Sequence, residues 1–260
     1  MHLARTLLLL MILLCTTSAR ADFTPLTDHI RIDRDTRTIE IDATVVYERR
    51  EVRSEETGEL LYTFGDWLEL LLCTTNTREH ESLLATDAKP SDIHAALLLL
   101  GLQPGRPATP IQSPDGDWIT APPTGPELLI TLSLANDPDA SGIPAGGWIT
   151  HQPTRATLEH TPWLFAGSRT ITHEGNDLYL ADLSGSVISL VAFRDDLITH
   201  PTTTSPADDD QAFQATPDLI PPPQTPILLR IRPADLPETG DADPDATPET
   251  PEVTQPPASR

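Results

Sequence analysis

Cysteine is scarce in this chain, which contains only Cys15 and Cys73. Four cysteine thiolates hold an iron–sulfur cluster, and paired cysteines attach c-type haem. The sequence therefore excludes an iron–sulfur cluster and attached haem, and it indicates no certain cofactor. Cys73 stands within the apolar run Leu70–Thr74, and a free cysteine in such a run is typically a small buried hydrophobic residue.

Positive charge and aromatic residues are also scarce. The chain has 17 lysines and arginines against 39 aspartates and glutamates, which gives a formal net charge of -22. Such a surface repels phosphate backbones and anionic lipid, so we expect no nucleic-acid binding and no docking on anionic membranes. Aromatic residues make up 5% of the chain, whereas there are 27 prolines, which favour turns and sheet edges. This composition predicts a loop-rich β domain.

Long apolar runs are absent after residue 14. A membrane-spanning helix needs roughly 20 apolar residues, and the longest later run covers only residues 95–100. We therefore expect no transmembrane anchor in the mature chain.

The first 21 residues have the order of a secretory signal peptide. Arg5 precedes the apolar residues 7–14, and Ala19 and Ala21 frame an A-x-A cleavage site. We expect cleavage after Ala21 and a periplasmic or extracellular location. Cleavage removes Cys15, which leaves one thiol and excludes an internal disulfide. A lipoprotein signal at Cys15 is the less favoured alternative, because a large leucine precedes that cysteine.

Alternating apolar and polar residues predict strands. The pattern is clearest at residues 30–33 and 38–47, which the turn between them joins into a hairpin. Residues 82–85 are expected to return beside residues 67–75 as a second hairpin. Further strands are expected at residues 128–134, 148–149, 163–165, 178–180, 187–191 and 227–232. Short strands at this spacing favour a sandwich or barrel-like domain.

One helix is predicted near residues 91–100. Ser91 or Asp92 can cap its first-turn amides, and Gly101 ends it. Apolar residues run nearly all the way round this helix, so we expect most of its faces to be buried. The predicted fold class is α+β, predominantly antiparallel β, with one short buried helix.

Residues 233–260 consist mainly of proline, aspartate, glutamate and threonine. Apolar burial cannot offset the entropy of ordering such a segment, so we expect a disordered acidic tail. The remainder, residues 22–232, is then a single β-rich domain.

The densest polar cluster begins in the connection between the two strands of the second predicted hairpin. It comprises Glu79, His80, Glu81 and Ser82, with Asp92 and His94 on the helix. If strand and helix fold together, His80 and His94 with Glu81 would suit a divalent metal such as zinc or copper. His80-Glu81 begins like H-E-x-x-H, but Leu84 replaces the second histidine, which excludes a zincin. Glu79, Ser82 and Asp92 are further ligand-binding candidates. The alternative is a hydrogen-bonded turn at His80 and Glu81 and a partly buried helix histidine at His94.

Four segments together resemble exported bacterial proteins that carry a YdjY domain. They are residues 69–73, 79–84, 90–101 and 163–168, and the most specific read E-H-E-S-L-L and P-S-D-I-H-A-A-L-L-L-L-G. The resemblance implies a domain from Ile30 to Arg232 and draws attention to Glu79, His80, Glu81, Asp92 and His94. It implies no defined activity. Some members carry a ferredoxin-like label, from which this chain departs because one thiol cannot hold a cluster.

Three functions are compatible with these features. The favoured one is a non-enzymatic exported domain that binds a small molecule, a metal or an envelope protein near His80 and His94. The second is a metal-dependent hydrolase that uses His80, Glu81 and His94. The third is a structural cell-envelope protein with the acidic tail as a spacer. The chain lacks G-x-S-x-G, P-loop and G-x-G-x-x-G motifs, so no catalytic residue is assigned.

Overall fold

The computed structural model describes residues 22–64, 67–137, 142–201 and 212–235. In chain order the strands are β1 Thr24–Pro25, β2 Ile30–Asp33, β3 Thr38–Val45, β4 Arg50–Arg53, β5 Leu60–Phe64, β6 Leu70–Thr74, β7 Ser82–Thr86, β8 Thr109–Gln112, β9 Trp118–Ala121, β10 Glu127–Leu134, β11 Ile143–Pro144, β12 Ile149–His151, β13 Ala156–Thr157, β14 Trp163–Phe165, β15 Thr170–His173, β16 Asn176–Tyr179, β17 Ser186–Ser189, β18 Ile198–Thr199, β19 Phe213–Ala215 and β20 Pro226–Pro233. The helices are α1 Pro90–Leu99 and α2 Leu180–Ser184, and 3-10 turns lie at Glu79–Glu81, Ala145–Trp148 and Pro217–Leu219.

Eight strands close into a barrel in the order β3-β20-β10-β14-β18-β17-β6-β7, and β7 pairs back onto β3. The first half of β3 pairs with β2 as the predicted hairpin. Its last two residues, Thr44 and Val45, pair with β7. β3 therefore changes partner along one edge, from β2 to β7. We call this point the fork of β3, and its pairing with β7 closes the barrel. The β-rich, barrel-like fold class is confirmed.

Alternation along β3 separates the core from the outer surface. Its inward residues are all buried in the main core: Ile39, Ile41, Ala43 and Val45. On the other face, Glu40 lies between two arginines, with Arg31 Nε and Arg230 Nε each 2.8 Å from a carboxylate oxygen. The two guanidinium groups cover Glu40, which is only 5% exposed, and compensate its charge.

The second predicted hairpin is wrong in direction, because β6 and β7 run parallel. All of their residues except Thr74 are buried. Strands buried on both faces lose the period-two pattern, so the leucine-rich sequence did not indicate whether the two strands run parallel or antiparallel. The connection turns at Asn76, which has a φ of 62°, and passes through the 3-10 turn at Glu79–Glu81. A second parallel pair joins β17 and β18.

Helix α1 is confirmed, although its burial is narrower than expected. Ile93, Ala96 and Leu97 are buried, whereas Leu98 and Leu99 are exposed. One side of the helix thus packs on the barrel and the other is open. At the C-terminal end of β16 the predicted strand stops one residue early, and Leu180 begins the short helix α2. Trp148, also predicted in a strand, ends a 3-10 turn instead.

Two predicted segments lie outside the described residues. They are the signal peptide, with Ala19 and Ala21, and residues 236–260 of the acidic tail predicted at 233–260. Pro233, the first residue of that predicted tail, is the last residue of β20. Within the described ranges, none of the helices has the length and apolar character needed to cross a membrane. Cys73 is buried, and burial raises the pKa of its thiol, as expected for a core cysteine.

Candidate functional site

Glu81, in the polar cluster that the sequence singled out, is held by Arg78. Arg78 Nε lies 2.7 Å from Glu81 Oε1, an ion pair without the alignment of a hydrogen bond. The same guanidinium lies 3.9 Å above the Phe193 ring centroid. Together these contacts fasten the connection between β6 and β7 to the barrel.

Glu79 and His80 occupy the same 3-10 turn. The Glu79 carboxylate accepts a hydrogen bond from the backbone N–H of Asn76, which stabilises the turn. The His80 side chain is 77% exposed, and its Nε2 lies 3.6 Å from Glu81 Oε2. The hydrogen-bonded turn that was the alternative interpretation is therefore what the structure contains.

Ser82 and Asp92 also have local roles. Ser82 Oγ is buried and donates to the Leu84 carbonyl at 2.8 Å. Asp92 lies in the first turn of α1, where a carboxylate complements the helix dipole. Neither Ser91 nor Asp92 caps the helix as predicted. Instead the Ser91 N–H donates to Asp182 of α2 at 2.8 Å.

His94 is packed between aromatic rings on the partly buried side of α1. Its Nδ1 lies 2.7 Å from Tyr179 Oη, which donates to the Gly167 carbonyl at 3.0 Å. A phenol has one proton to donate, so His94 Nδ1–H must be the donor to Tyr179. Desolvation lowers the pKa of His94. The imidazole is thus a neutral, hydrogen-bonded packing residue.

The structure does not gather these residues into a metal centre. Across the described ranges, no three histidine, cysteine, aspartate or glutamate side chains are placed to hold one ion. His80, Glu81 and His94 all lie within those ranges, so the expected three-ligand group is not assembled. Metal binding by fewer of them, and ligand binding by Glu79, Ser82 or Asp92, stay predictions.

A different region has the features of a binding site. A cleft of about 370 Å³ opens at the end of the barrel where β10 stops and β20 begins. Leu134 and Ile227, the last residue pair of these two strands, form part of its wall. Ile143 of β11 and the turn residues Trp148 and Leu219 also line it, so residues distant in sequence meet here.

Trp148 is held rigidly in this wall. Its carbonyl accepts the Thr216 N–H at 2.9 Å, which ties the Ala145–Trp148 turn to the segment before Leu219. Gly146 lies so close to Leu158 that an added Cβ would be 2.3 Å from the Leu158 carbonyl oxygen. A glycine is required for this approach, and it fixes the position from which the indole enters the wall.

Two buried polar atoms of the cleft residues have no hydrogen-bond partner in the described chain. They are Trp148 Nε1 and Ser133 Oγ, on side chains that are 3% and 7% exposed respectively. An unsatisfied buried donor costs about 1–3 kcal/mol. Both atoms are fully buried, so they lie beneath the surface of the cleft, and the wall that a ligand would meet is mainly apolar.

The rim of the cleft is apolar as well. Leu134, Ile143 and Leu219 are 42%, 47% and 56% exposed, although each is a large hydrophobic residue. Of the described residues that line the cleft, only Asp137 has an ionisable side chain. An apolar rim around a concave surface is typical of ligand or partner binding.

The family model for the YdjY domain matches residues 30–232, which include both the polar cluster and the cleft. The chain belongs to the YdjY domain family. The resemblance recognised in the sequence is thereby confirmed. Comparison with curated proteins and with solved structures gave no match.

A second cavity of this YdjY domain, of about 380 Å³, adjoins the cleft at Ile227. It lies at the fork of β3, and its polar lining includes Asp42, Thr75 and Asp87. Arg31 donates two hydrogen bonds to Asp42, and Thr75 Oγ1 donates to Asp87. Its carboxylates have partners within the protein, so the barrel-end cleft is the stronger candidate.

Sequence reasoning did not find the cleft of this YdjY domain. Ser133 stands at an outward position of a correctly predicted strand, where a serine is ordinary. Trp148 follows two glycines, and the pattern indicated only a turn and a strand. The signal is the exposed apolar rim of Leu134, Ile143 and Leu219, which only the folded chain displays.

Proposed function

We propose that this YdjY domain is a binding protein that holds an apolar ligand in the barrel-end cleft. The observation that carries the proposal is the exposed apolar rim of Leu134, Ile143 and Leu219 around a concave surface whose described lining has one ionisable residue, Asp137. An apolar ligand that covers this rim removes it from water, which is favourable.

The position of the cleft supports the same function. The ends of barrels are common ligand sites, because inward side chains of several strands meet there and the closed sheet keeps them in place. Leu134 belongs to β10 and Ile143 pairs with that strand through β11. The rim is therefore built on strands, and a ligand would meet a preformed surface.

Binding of the neutral fluorophore N-phenyl-1-naphthylamine, which becomes bright in apolar surroundings, tests this proposal. The purified protein should bind it saturably at one site. Leu134→Arg places a guanidinium at the rim and should weaken binding by at least about tenfold, because burying an unpaired charge is costly.

Leu183→Arg is the matched control. Leu183 is also an exposed leucine, 61% accessible, but it lies on α2 and outside the cleft, so this variant should bind the probe like the wild type. Equal weakening by both variants, or the absence of saturable binding to the folded wild type, would contradict the proposal.

We also propose that the domain acts outside the cytoplasm. The support is the arrangement of Arg5, the apolar residues 7–14 and the A-x-A sequence at Ala19–Ala21. Sequencing the amino terminus of the protein recovered from an expressing bacterium checks it, and an uncleaved chain would contradict it. The metal-dependent hydrolase and the structural envelope role stay predictions, as does the expected lack of nucleic-acid binding.

A further inference from the structure

We infer that the ligand of the barrel-end cleft is a cationic amphiphile, an apolar molecule that also carries an ammonium or similar positive group. The inference rests on the proposed function and names the ligand class for that site. It depends on the sign of the charges around the cleft and on the position of one carboxylate at its edge.

The segments that build the cleft contain acidic residues and no basic ones. They are residues 132–137, 142–148 and 217–227, in which there is no lysine, arginine or histidine. Asp137 lines the cleft, and Asp218 precedes the rim residue Leu219 in the same 3-10 turn. Both aspartates are exposed. These charges attract cations to the mouth of the cleft, and the formal charge of -22 on the whole chain acts in the same direction.

Asp137 is held at the edge of the apolar surface. Its backbone N–H donates to the Leu134 carbonyl at 3.0 Å, so the turn that follows β10 places it beside a leucine of the rim. None of the hydrogen bonds and ion pairs among the described residues involves its carboxylate. An exposed charge acts over about 10 Å at an ionic strength of roughly 0.1 M, so its attraction for a ligand cation requires no contact of fixed geometry.

The apolar rim and the carboxylate together discriminate between ligand charges. An apolar body covers Leu134, Ile143 and Leu219 and removes their surface from water. An ammonium group at the mouth then pairs with Asp137, whereas an anionic group is repelled and finds no basic residue in these segments to compensate it. A neutral ligand gains only the apolar contribution. The cleft therefore favours cationic over neutral ligands, and neutral over anionic ones.

Three probes with the same apolar chain separate these classes: octylammonium, 1-octanol and octanoate. Each is used at neutral pH, below any micelle-forming concentration, to displace N-phenyl-1-naphthylamine from the purified full chain. Octylammonium should bind about fivefold tighter than 1-octanol, the effect of one exposed ion pair, and octanoate should bind more weakly than 1-octanol. High salt should reduce the preference for octylammonium, because it screens exposed charges.

Asp137→Asn and Asp115→Asn determine whether the preference arises at the cleft. Each variant removes one exposed carboxylate and changes the net charge equally, but Asp115 lies between β8 and β9 and outside the cleft lining. Asp137→Asn should lose most of the preference for octylammonium while it binds 1-octanol like the wild type. Asp115→Asn should keep the wild-type preference.

The outcomes distinguish the ligand class from the proposed function. If N-phenyl-1-naphthylamine binds but octylammonium binds no tighter than 1-octanol or octanoate, the cationic class is wrong although the cleft binds an apolar ligand. If Asp137→Asn keeps the preference, or Asp115→Asn loses it equally, the charge at the cleft does not select the ligand and the inference is overturned. If neither the three probes nor N-phenyl-1-naphthylamine binds saturably, both the inference and the proposed function are overturned.

Discussion

The polar cluster at residues 79–94 and the barrel-end cleft differ in the chemistry of their side chains. In the cluster, Glu81 pairs with Arg78 and His94 bonds to Tyr179. In the cleft, Leu134, Ile143 and Leu219 form an exposed apolar rim, and Asp137 is the one ionisable residue of the described lining. The cluster is rich in chemistry-bearing residues that pair within the protein, whereas the cleft leaves apolar surface uncovered.

This difference shows why residue type alone is a weak guide to a binding site. Histidines and carboxylates near one another also build turns and hold helices, and a folded protein uses them for both purposes. An exposed apolar rim around a concave surface is less ambiguous, because a folded chain covers most of its large apolar patches. Variants in each region test which of the two is structural and which binds a ligand.

The largest stability effect is expected from Glu81→Ala. This variant removes the partner of Arg78 in a partly buried ion pair, so the free energy of unfolding should fall by about 2 kcal/mol, between the values for exposed and buried pairs. Urea denaturation measures it. His80→Ala is the control, since His80 is mostly exposed and should change stability by less than about 0.5 kcal/mol.

Probe binding by Glu81→Ala and His80→Ala provides a second measurement. Both variants should bind N-phenyl-1-naphthylamine like the wild type under conditions where they are folded. If His80→Ala abolished binding and left stability unchanged, the polar cluster would be the site and the comparison would be reversed.

A smaller effect is expected from the titration of His94. Burial lowers the pKa of its imidazole, so the unfolded chain takes up a proton more readily than the folded one. The stability that depends on neutral His94 is fully present above the unfolded pKa of about 6.5 and is lost as the pH falls toward the folded pKa.

His94→Asn removes this titration and retains a donor near Tyr179. Its free energy of unfolding should therefore fall less than that of the wild type between about pH 7.5 and about pH 5. The two proteins differ in no other ionisable group, so the difference isolates His94. An identical fall in both proteins would show that His94 is not the buried neutral group described here.

Much of the fold could be predicted from local patterns. Period-two alternation located β2 and β3, and the start and stop residues located α1, although Ser91 and Asp92 do not cap it. The closure of the barrel could not be predicted, because it depends on two residue pairs, Thr44 with Ala85 and Val45 with Leu84. The parallel direction of β7 could not be predicted either, because leucines buried on both faces are compatible with both directions.

The candidate site was harder to predict than the fold. The polar cluster is contiguous in sequence and therefore visible, whereas the cleft is assembled from β10, β11 and two 3-10 turns. Ser133 and Trp148 meet the same cavity only because the barrel brings their segments together. Their lack of partners is a property of the folded chain, and no spacing or composition signal encodes it.

The most direct test of the central claim, that the barrel-end cleft and not the polar cluster binds an apolar ligand, is the titration of N-phenyl-1-naphthylamine into Leu134→Arg and His80→Ala. Leu134 stands at the exposed rim of the cleft, and His80 is mostly exposed in the polar cluster. The account predicts that Leu134→Arg weakens binding by at least about tenfold and that His80→Ala binds like the wild type. Wild-type binding by Leu134→Arg, or loss of binding in a folded His80→Ala, would contradict the account.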